Sequence, residues 1–362
     1  MSSKGKILVA MSGGIDSSIA AMMLHEEGYE VIGMTMKTWE YASVGGNKKE
    51  TGCCSLDSIN DARNMAVKFG FPHYIIDIRE EFGEHIIDNF VAEYMAGRTP
   101  NPCVLCNTHI KWEALLKRAD QLDCEFIATG HYARVREENN RYVVSKGLDD
   151  TKDQSYVLWG VSQENLARTK YPLGTYLKKD IKKIAIDAGF EELAKKSESY
   201  EICFIPDNDY RGFLQRRVNG LKEQVANGKF VTTKGETLGT HRGYPFYTIG
   251  QRKGLELAVG SPLYVTEIIP DTNTVVLGDK KDLEKQEMSV KGLNLIKYAS
   301  LEGEVEAVTK IRYKDNGTHS TITQVAGDEV KVTFHKKVRA IAPGQSAVFY
   351  EGDDLIGGGI IQ

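Results

Sequence analysis

Three sets of residues in this chain of 362 could do chemistry. The first is Ser12-Gly13-Gly14 followed by Asp16-Ser17-Ser18. Glycines turn the chain without Cβ clashes, so main-chain N–H groups can face a ligand. A helix opening at Asp16 adds the unpaired N–H groups of its first turn, a seat for phosphate. The lysine-bearing loop GxxxxGK[ST] is absent, so this is a different phosphate cradle. The second set is the six cysteines. Cys103 and Cys106 form a C-x-x-C in a loop that two prolines stiffen, ahead of a helix expected over 108–122. That places Cys106 near a helix N-terminus, which favours the thiolate. Cys203 lies in a stretch, 197–206, expected to be a short apolar strand, and on its own reads as a core cysteine. Cys53 and Cys54 sit in a polar stretch, 38–57, with no second cluster nearby. The third set is residues 240–255, where Arg242, Arg252 and Lys253 alternate with Tyr244, Phe246 and Tyr247. Bases interleaved with aromatics suit an RNA backbone and stacked nucleobases, and equally suit a surface hairpin.

The elements that must position these residues follow from periodicity. Ile7 to Met11 is a short apolar run suited to a buried parallel strand, and Gly28 is placed to end the helix after it. Ile19, Met22 and Met23 give that helix a buried face. Residues 29–36 read as a second strand, which brings Met36 to the rim of the glycine loop, where it could cover a base or simply fill core. A helix over 58–69, a strand over 72–78, a helix over 80–94 and a strand over 125–133 continue the alternation. The last strand runs into Gly130, where backbone can approach a ligand, and His131. This order predicts an α/β fold with an open parallel sheet and helices on both faces. A hairpin is expected over 134–146, and the lysine-rich helix over 178–188 reads as a solvated face. Past Pro206 the texture changes: Arg211, Arg216 and Arg217 share one short helix, then short strands alternate with turns. Strands around 288–296, 303–312, 318–325, 329–334, 346–350 and 355–361 suggest a small C-terminal β-barrel. The expected division is 1–205, 206–278 and 279–362, with a charged linker near 279–288.

Composition sets bounds. Hydrophobic residues at 41% and charged residues at 27% are those of a soluble globular protein. A net charge of −4 leaves room for a local basic face. No apolar run approaches a membrane span and no leader is seen, so the cytoplasm is the expected compartment.

SGGIDSS resembles the pyrophosphate loop of ATP pyrophosphatases, which split ATP between its α and β phosphates. SGGIDSS, TPNPCVLCN, ATGHY, KDQSY, ICFI, GQRKGL, RY and PGQSAVFY together resemble the bacterial tRNA-specific 2-thiouridylases, in order and over nearly the whole chain. The resemblance implies an ATP-dependent tRNA sulfurtransferase that adenylates the carbonyl oxygen at carbon 2 of the wobble uridine and replaces it by sulfur. It implies an ATP site along Ala10, Met11, Ser12, Gly13, Gly14, Ile15, Asp16 and Ser17, with Met36 and Gly130 on the adenine side and Asp16 on Mg²⁺. It implies a persulfide on Cys203, received from a cysteine desulfurase or sulfur-relay protein, with Cys106 as the partner thiol. It places Asn101, Pro102, Cys103, His131, Lys152, Asp153, Gln154, Arg312, Tyr313 and Gln345 on tRNA.

Two departures matter. Many members carry Asp where this chain has Cys103, and a small Thr-Gly pair where it has Tyr200-Glu201. Cys103, Cys106 and Cys203 would supply three soft ligands, which suits a four-iron, four-sulfur cluster with one open iron. Two rival classes share parts of the pattern. An amide-forming synthetase on the same loop would not need Cys106 and Cys203. A non-catalytic tRNA-binding protein would not need the intact loop.

Overall fold

The computed structural model describes residues 4–39, 55–196, 202–257 and 260–362. The pair Cys53-Cys54 and the Tyr200-Glu201 flank lie outside the described residues. The chain divides into two units that do not follow its linear order. One comprises 1–86, 103–208 and 353–355; the other comprises 87–102, 209–352 and 356–362.

Among its described residues the first unit holds seven strands: β1 Lys6–Ala10, β2 Glu30–Lys37, β3 His73–Asp77, β4 Phe126–Ala128, β5 Ala133–Glu138, β6 Arg141–Lys146 and β7 Thr169–Lys170. Five form a parallel sheet in the order β3-β2-β1-β4-β7, as the alternating pattern requires. β1 is its centre, and Ile7, Leu8 and Val9 are wholly buried between helices. β5 and β6 form the expected hairpin, turning at Asn139 and Asn140, both at positive φ.

Helix α1, Ile15–Glu26, is buried on more than a stripe: Ala20 and Ala21 are as hidden as Ile19. Small side chains let it pack close against β1 and β2. It ends at Gly28, whose φ of +95° admits the turn. Helix α2, Leu56–Phe69, is capped by Ser55, whose Oγ accepts from the Ser58 N–H, and is stopped by left-handed Gly70. The segment expected as one helix over 80–94 is α3, Arg79–Phe82, a π-turn over Gly83–Ile87, and α4, Asp88–Met95.

In the second unit, β8 Gly228–Thr232, β9 Thr237–His241, β10 Tyr264–Ile269 and β11 Thr274–Gly278 form a sheet in the order β10-β11-β8-β9. The final strands are β12 Glu284–Leu295, β13 Glu304–Lys310, β14 Thr318–Ala326, β15 Glu329–Arg339, β16 Ser346–Glu351 and β17 Asp354–Ile361. They run β12-β15-β14-β13-β16-β17, and β17 pairs back onto β12. Six strands therefore close into the barrel that the short periodic runs predicted. Val290, Ile322, Val332, Phe334 and Phe349 fill it. β15 runs past the expected end, so His335, Lys336, Lys337 and Arg339 lie on the strand, with Arg339 paired to Glu284 at 2.8 Å.

Residues 240–255 are not a stacking platform. Tyr244, Phe246 and Tyr247 are buried. Tyr247 meets the rings of Phe230 and His241 at 5.3 and 5.2 Å, and the Tyr244 hydroxyl donates to the Met95 carbonyl at 2.6 Å. Apolar burial outweighs any role for these rings on the surface. Arg242, Arg252 and Lys253 stay exposed, Arg242 paired with Glu256. No helix among the described residues is long and apolar enough to cross a membrane.

Candidate active site

The glycine loop is built as its residue types require. Gly13 has φ +72°, and a Cβ there would lie 1.9 Å from the Ser58 carbonyl oxygen. Both the backbone conformation and the approach of α2 therefore demand glycine. Ser17 Oγ accepts from the Ser12 N–H at 3.0 Å and donates to the Gly14 carbonyl at 3.2 Å, which closes the loop on the first turn of α1. Met11 is buried, its N–H donating to the Met34 carbonyl and its carbonyl accepting from Thr35 Oγ1. Ile15 is buried and Met36 half-buried at the end of β2, on the rim where the sequence placed it. The space that Gly130 leaves is taken by protein: a Cβ would lie 2.7 Å from Ser17 N and 2.8 Å from the Asp16 carbonyl carbon. Gly130 lets strand β4's end dock against the start of α1.

Asp16 is held more firmly than the sequence foretold. Lys178 Nζ lies 2.7 Å from each carboxylate oxygen, and the Tyr132 hydroxyl donates to Oδ1 at 2.7 Å. The Lys178 side chain is 8% exposed and that of Asp16 33%. This corrects the expectation that the lysine-rich stretch is wholly a solvated face. Helices α5 Pro102–Leu105, α6 Trp112–Gln121 and α7 Gln163–Ala167 precede the one that carries it, α8 Lys178–Asp187. A lysine as first residue of a helix opposes the helix dipole, so its burial there needs an anion, and Asp16 supplies one. Position at the start of α8 was the available signal. Asp16 as a Mg²⁺ ligand fits in donor type, being an oxygen donor, but each of its oxygens already faces the ammonium.

The cysteine loop differs from its expected form. Pro102 opens a helix rather than forbidding one, because the first helical position needs no N–H. α5 leads into a π-turn, Cys106–Lys111, and then α6. Cys106 is thus one turn inside the helical segment and buried, not at its N-terminus. Cys103 is exposed. The protein around it raises its thiol above the ordinary value, and the Lys111 ammonium opposes that rise. Surface exposure decides access, so we read Cys103 as reachable and protonated. Cys203 lies in a turn, not a strand: the Ile205 N–H donates to the Ile202 carbonyl at 2.9 Å. Phe204 and Ile205 are buried and anchor this turn, while Cys203 is exposed. Phe204 meets Phe82 of α3 edge to face at 5.8 Å, and α3 also packs on the π-turn that begins at Cys106. One short helix therefore supports both thiol-bearing segments. Among the described residues, no three Cys, His, Asp or Glu side chains are grouped to hold a metal ion. Cys103, Cys106 and Cys203 as arranged do not form a cluster's ligand set.

His131 follows β4. Its Nδ1 is hydrogen-bonded to Thr129 Oγ1 at 2.7 Å, and its ring lies among Trp112 and Tyr171 at 6.0 and 6.2 Å. Burial, helped by the Lys111 charge, pushes its pKa down to about 3 from 6.5. It is a neutral group at physiological pH. Because the unfolded chain binds the proton more readily, stability is full above pH 6.5 and falls as pH drops toward 3. The slope is at most about 1.4 kcal/mol per pH unit. His241, lowered by burial to about 4, acts in the same direction. Urea midpoints should fall from pH 7 to pH 5, and His131→Gln should flatten the decline.

The remaining candidates divide into groups with different surroundings. Gln154 Oε1 accepts from the Tyr132 N–H at 3.0 Å. The Asp153 carboxylate accepts from the Gly147 and Ser155 N–H groups, so it shapes its own turn. Lys152 is half-buried beside them. In the second unit, Gln345 Nε2 donates to the carbonyls of Thr99 and Pro100 at 3.1 and 3.0 Å. It fixes the stretch that leads to half-buried Asn101 and buried Pro102. Arg312 and Tyr313 are exposed on the turn after β13.

Family models for a tRNA methyl transferase HUP domain, a tRNA methyl transferase PRC-barrel domain and an aminomethyltransferase β-barrel domain match residues 5–207, 211–279 and 285–361. The tRNA-specific 2-thiouridylase MnmA of Cytophaga hutchinsonii is 66% identical, over 100% of this chain and 98% of its own. Its namesake in Amoebophilus asiaticus is 65% identical, over 99% and 96%. That of Salinibacter ruber is 57% identical, over 100% and 95%. A pyrophosphate loop, two thiol segments on one helix, a closed six-stranded barrel and end-to-end likeness at this level together show that the chain belongs to the tRNA-specific 2-thiouridylase family.

Proposed function

We propose that this ATP-dependent tRNA sulfurtransferase works through Cys203 as sulfur carrier and Cys106 as its partner, without a cluster. The observation that carries the reading is the shared support: the exposed turn of Cys203 and the π-turn of Cys106 both rest on α3. The wobble uridine's oxygen at carbon 2 attacks the α-phosphorus of ATP, the bond to the β-phosphate oxygen breaks, and diphosphate leaves. The uracil proton passes to solvent. The oxygen is now part of an AMP leaving group. Cys203, charged as a persulfide by a cysteine desulfurase or sulfur-relay protein, is then attacked at its Sγ by the Cys106 thiolate. Hydrosulfide is released and a Cys106–Cys203 disulfide forms. Hydrosulfide adds at carbon 2 and AMP departs with the oxygen, leaving the thiocarbonyl. An external thiol reduces the disulfide for the next cycle.

The loop N–H groups of Ser12 to Ser17 and the first turn of α1 meet the phosphate charge, with Met36 and Gly130 on the adenine side. Mg²⁺, if held by Asp16, would neutralise the leaving diphosphate. tRNA contacts are assigned to Cys103, His131 and Lys152 to Gln154 in the first unit, and to Asn101, Pro102, Arg312, Tyr313 and Gln345 in the second. The domains run 1–205 for catalysis, 206–278 for tRNA, and 279–362 for the barrel, and the enzyme works in the cytoplasm with its tRNA. Diphosphate release tests this against the rivals. It should require added tRNA with a wobble uridine, and nucleoside mass spectrometry should find 2-thiouridine when ATP and a sulfur source are present. Release driven by a small-molecule acceptor instead would favour an amide-forming synthetase.

A further inference from the structure

Two donors on the Asp16 carboxylate, Tyr132 and Lys178, lead back to one stretch of chain, Asp149 to Gln154. The Lys178 main-chain N–H donates to Asp149 Oδ2 at 2.9 Å. Tyr132 exchanges two bonds with Gln154: its N–H donates to Gln154 Oε1 at 3.0 Å, and its carbonyl accepts from the Gln154 N–H at 2.9 Å. The stretch is itself tied together. Asp149 Oδ1 accepts from the Thr151 N–H and hydroxyl, the Asp149 carbonyl from the Lys152 N–H, and Asp153 from Ser155. A displacement at Lys152 therefore carries Asp149 and Gln154 with it. Their contacts then move Lys178 at one side of Asp16 and Tyr132 at the other. Bonds of 2.7 Å do not survive a shift of about 1 Å, because hydrogen bonds weaken steeply with geometry.

We infer that Tyr132 and Lys178 are positioning residues that couple Asp149–Gln154 to the pyrophosphate loop. tRNA engaged at Lys152 to Gln154 re-aims the Asp16 carboxylate toward magnesium nucleotide. This rests on the reading that Lys152 to Gln154 meet tRNA. Such coupling would make adenylation wait for its acceptor. It is reciprocal by thermodynamic necessity: nucleotide must tighten tRNA by the same factor.

The test is a titration of the full chain with α,β-methylene-ATP and Mg²⁺, with and without an unmodified tRNA transcript bearing a wobble uridine. In the native chain, tRNA should tighten the nucleotide Kd by at least about 5-fold. Tyr132→Phe keeps the ring and removes only the hydroxyl. It should erase that difference while leaving the Kd for tRNA alone unchanged. Asp149→Ala cuts the Lys178 side of the link and should do the same; it decides the matter if Tyr132→Phe fails to fold. A purely structural role for either residue would lower thermal stability without touching the ratio of the two Kd values. Intact tRNA binding with no effect on nucleotide affinity in the native chain overturns the proposal alone, as does full coupling in both variants. Absence of tRNA binding by the native chain overturns the underlying reading as well.

Discussion

Cys203→Ser should abolish 2-thiouridine formation and leave the fold, the nucleotide Kd and the tRNA Kd unchanged. A serine hydroxyl cannot hold a transferable sulfur, so the loss should be at least about 10³-fold, as for removal of a covalent-catalysis nucleophile. The exposure of Cys203 makes the experiment clean. Its neighbours Phe204 and Ile205 supply the buried anchor of the turn, so a surface sulfur-to-oxygen exchange should cost within about 0.5 kcal/mol. Cys106→Ser is less clean, because Cys106 is buried and a hydroxyl would enter the core. Nucleoside mass spectrometry on tRNA, with urea denaturation beside it, reads both quantities. Thiouridine made by Cys203→Ser at more than trace level would remove Cys203 from the reaction.

Local physics made the nucleotide loop legible. Gly13 and Gly14 beside Ser12, with Asp16 to Ser18 opening a helix, specify the turn from a dozen neighbouring residues, and the loop forms as read. The barrel was legible for the same reason: residues 288–361 alternate with period two between glycine and charged turns, and a strand's side-chain period survives without knowing its partner. The failures are all of longer range or of one-residue stereochemistry. Lys178 meets Asp16 across 162 positions, and nothing near Lys178 announces it except its place at the start of a helix. Gln345 reaches Thr99 across 246 positions. Tyr244, Phe246 and Tyr247 carry the same letters whether they stack on a base or fill a core, and only the packed sheet decides. Pro102 suits a stiff loop and equally stands at the one helical position that tolerates proline. Cys203 was placed on a strand because Ile202, Phe204 and Ile205 are apolar. Apolar residues bury in a turn just as well when aromatic neighbours such as Phe82 receive them.

The cysteine departure changes what the loop at 103 offers. A carboxylate at position 103 would be ionised at neutral pH, whereas the Cys103 thiol is held protonated by its surroundings. His131, on which the Lys111 charge also acts, is neutral as well. The charged group next to both is Lys111, whose ammonium donates to Asn107 Oδ1 at 2.8 Å.

Lys178→Met should lower stability by roughly 1–3 kcal/mol, less than for a wholly buried pair because Asp16 is one-third exposed and solvent screens part of its charge. Methionine keeps the apolar stem that α8 packs and removes only the ammonium. Asp16 would then present an uncompensated carboxylate at the mouth of the loop that must admit a triphosphate. Repulsion between like charges should raise the Kd for metal-free α,β-methylene-ATP by about tenfold, the equivalent of about 1.4 kcal/mol. Adding Asp16→Asn to Lys178→Met removes the stranded charge. Stability should return most of the way to that of the native chain, whereas diphosphate release should not, because the amide neither pairs with a cation nor ligates one well. Stability and turnover would thus part company in the double variant. A double variant no more stable than Lys178→Met would mean that the contact contributes shape rather than charge, and that Asp16 is stabilised by solvent and Tyr132 alone.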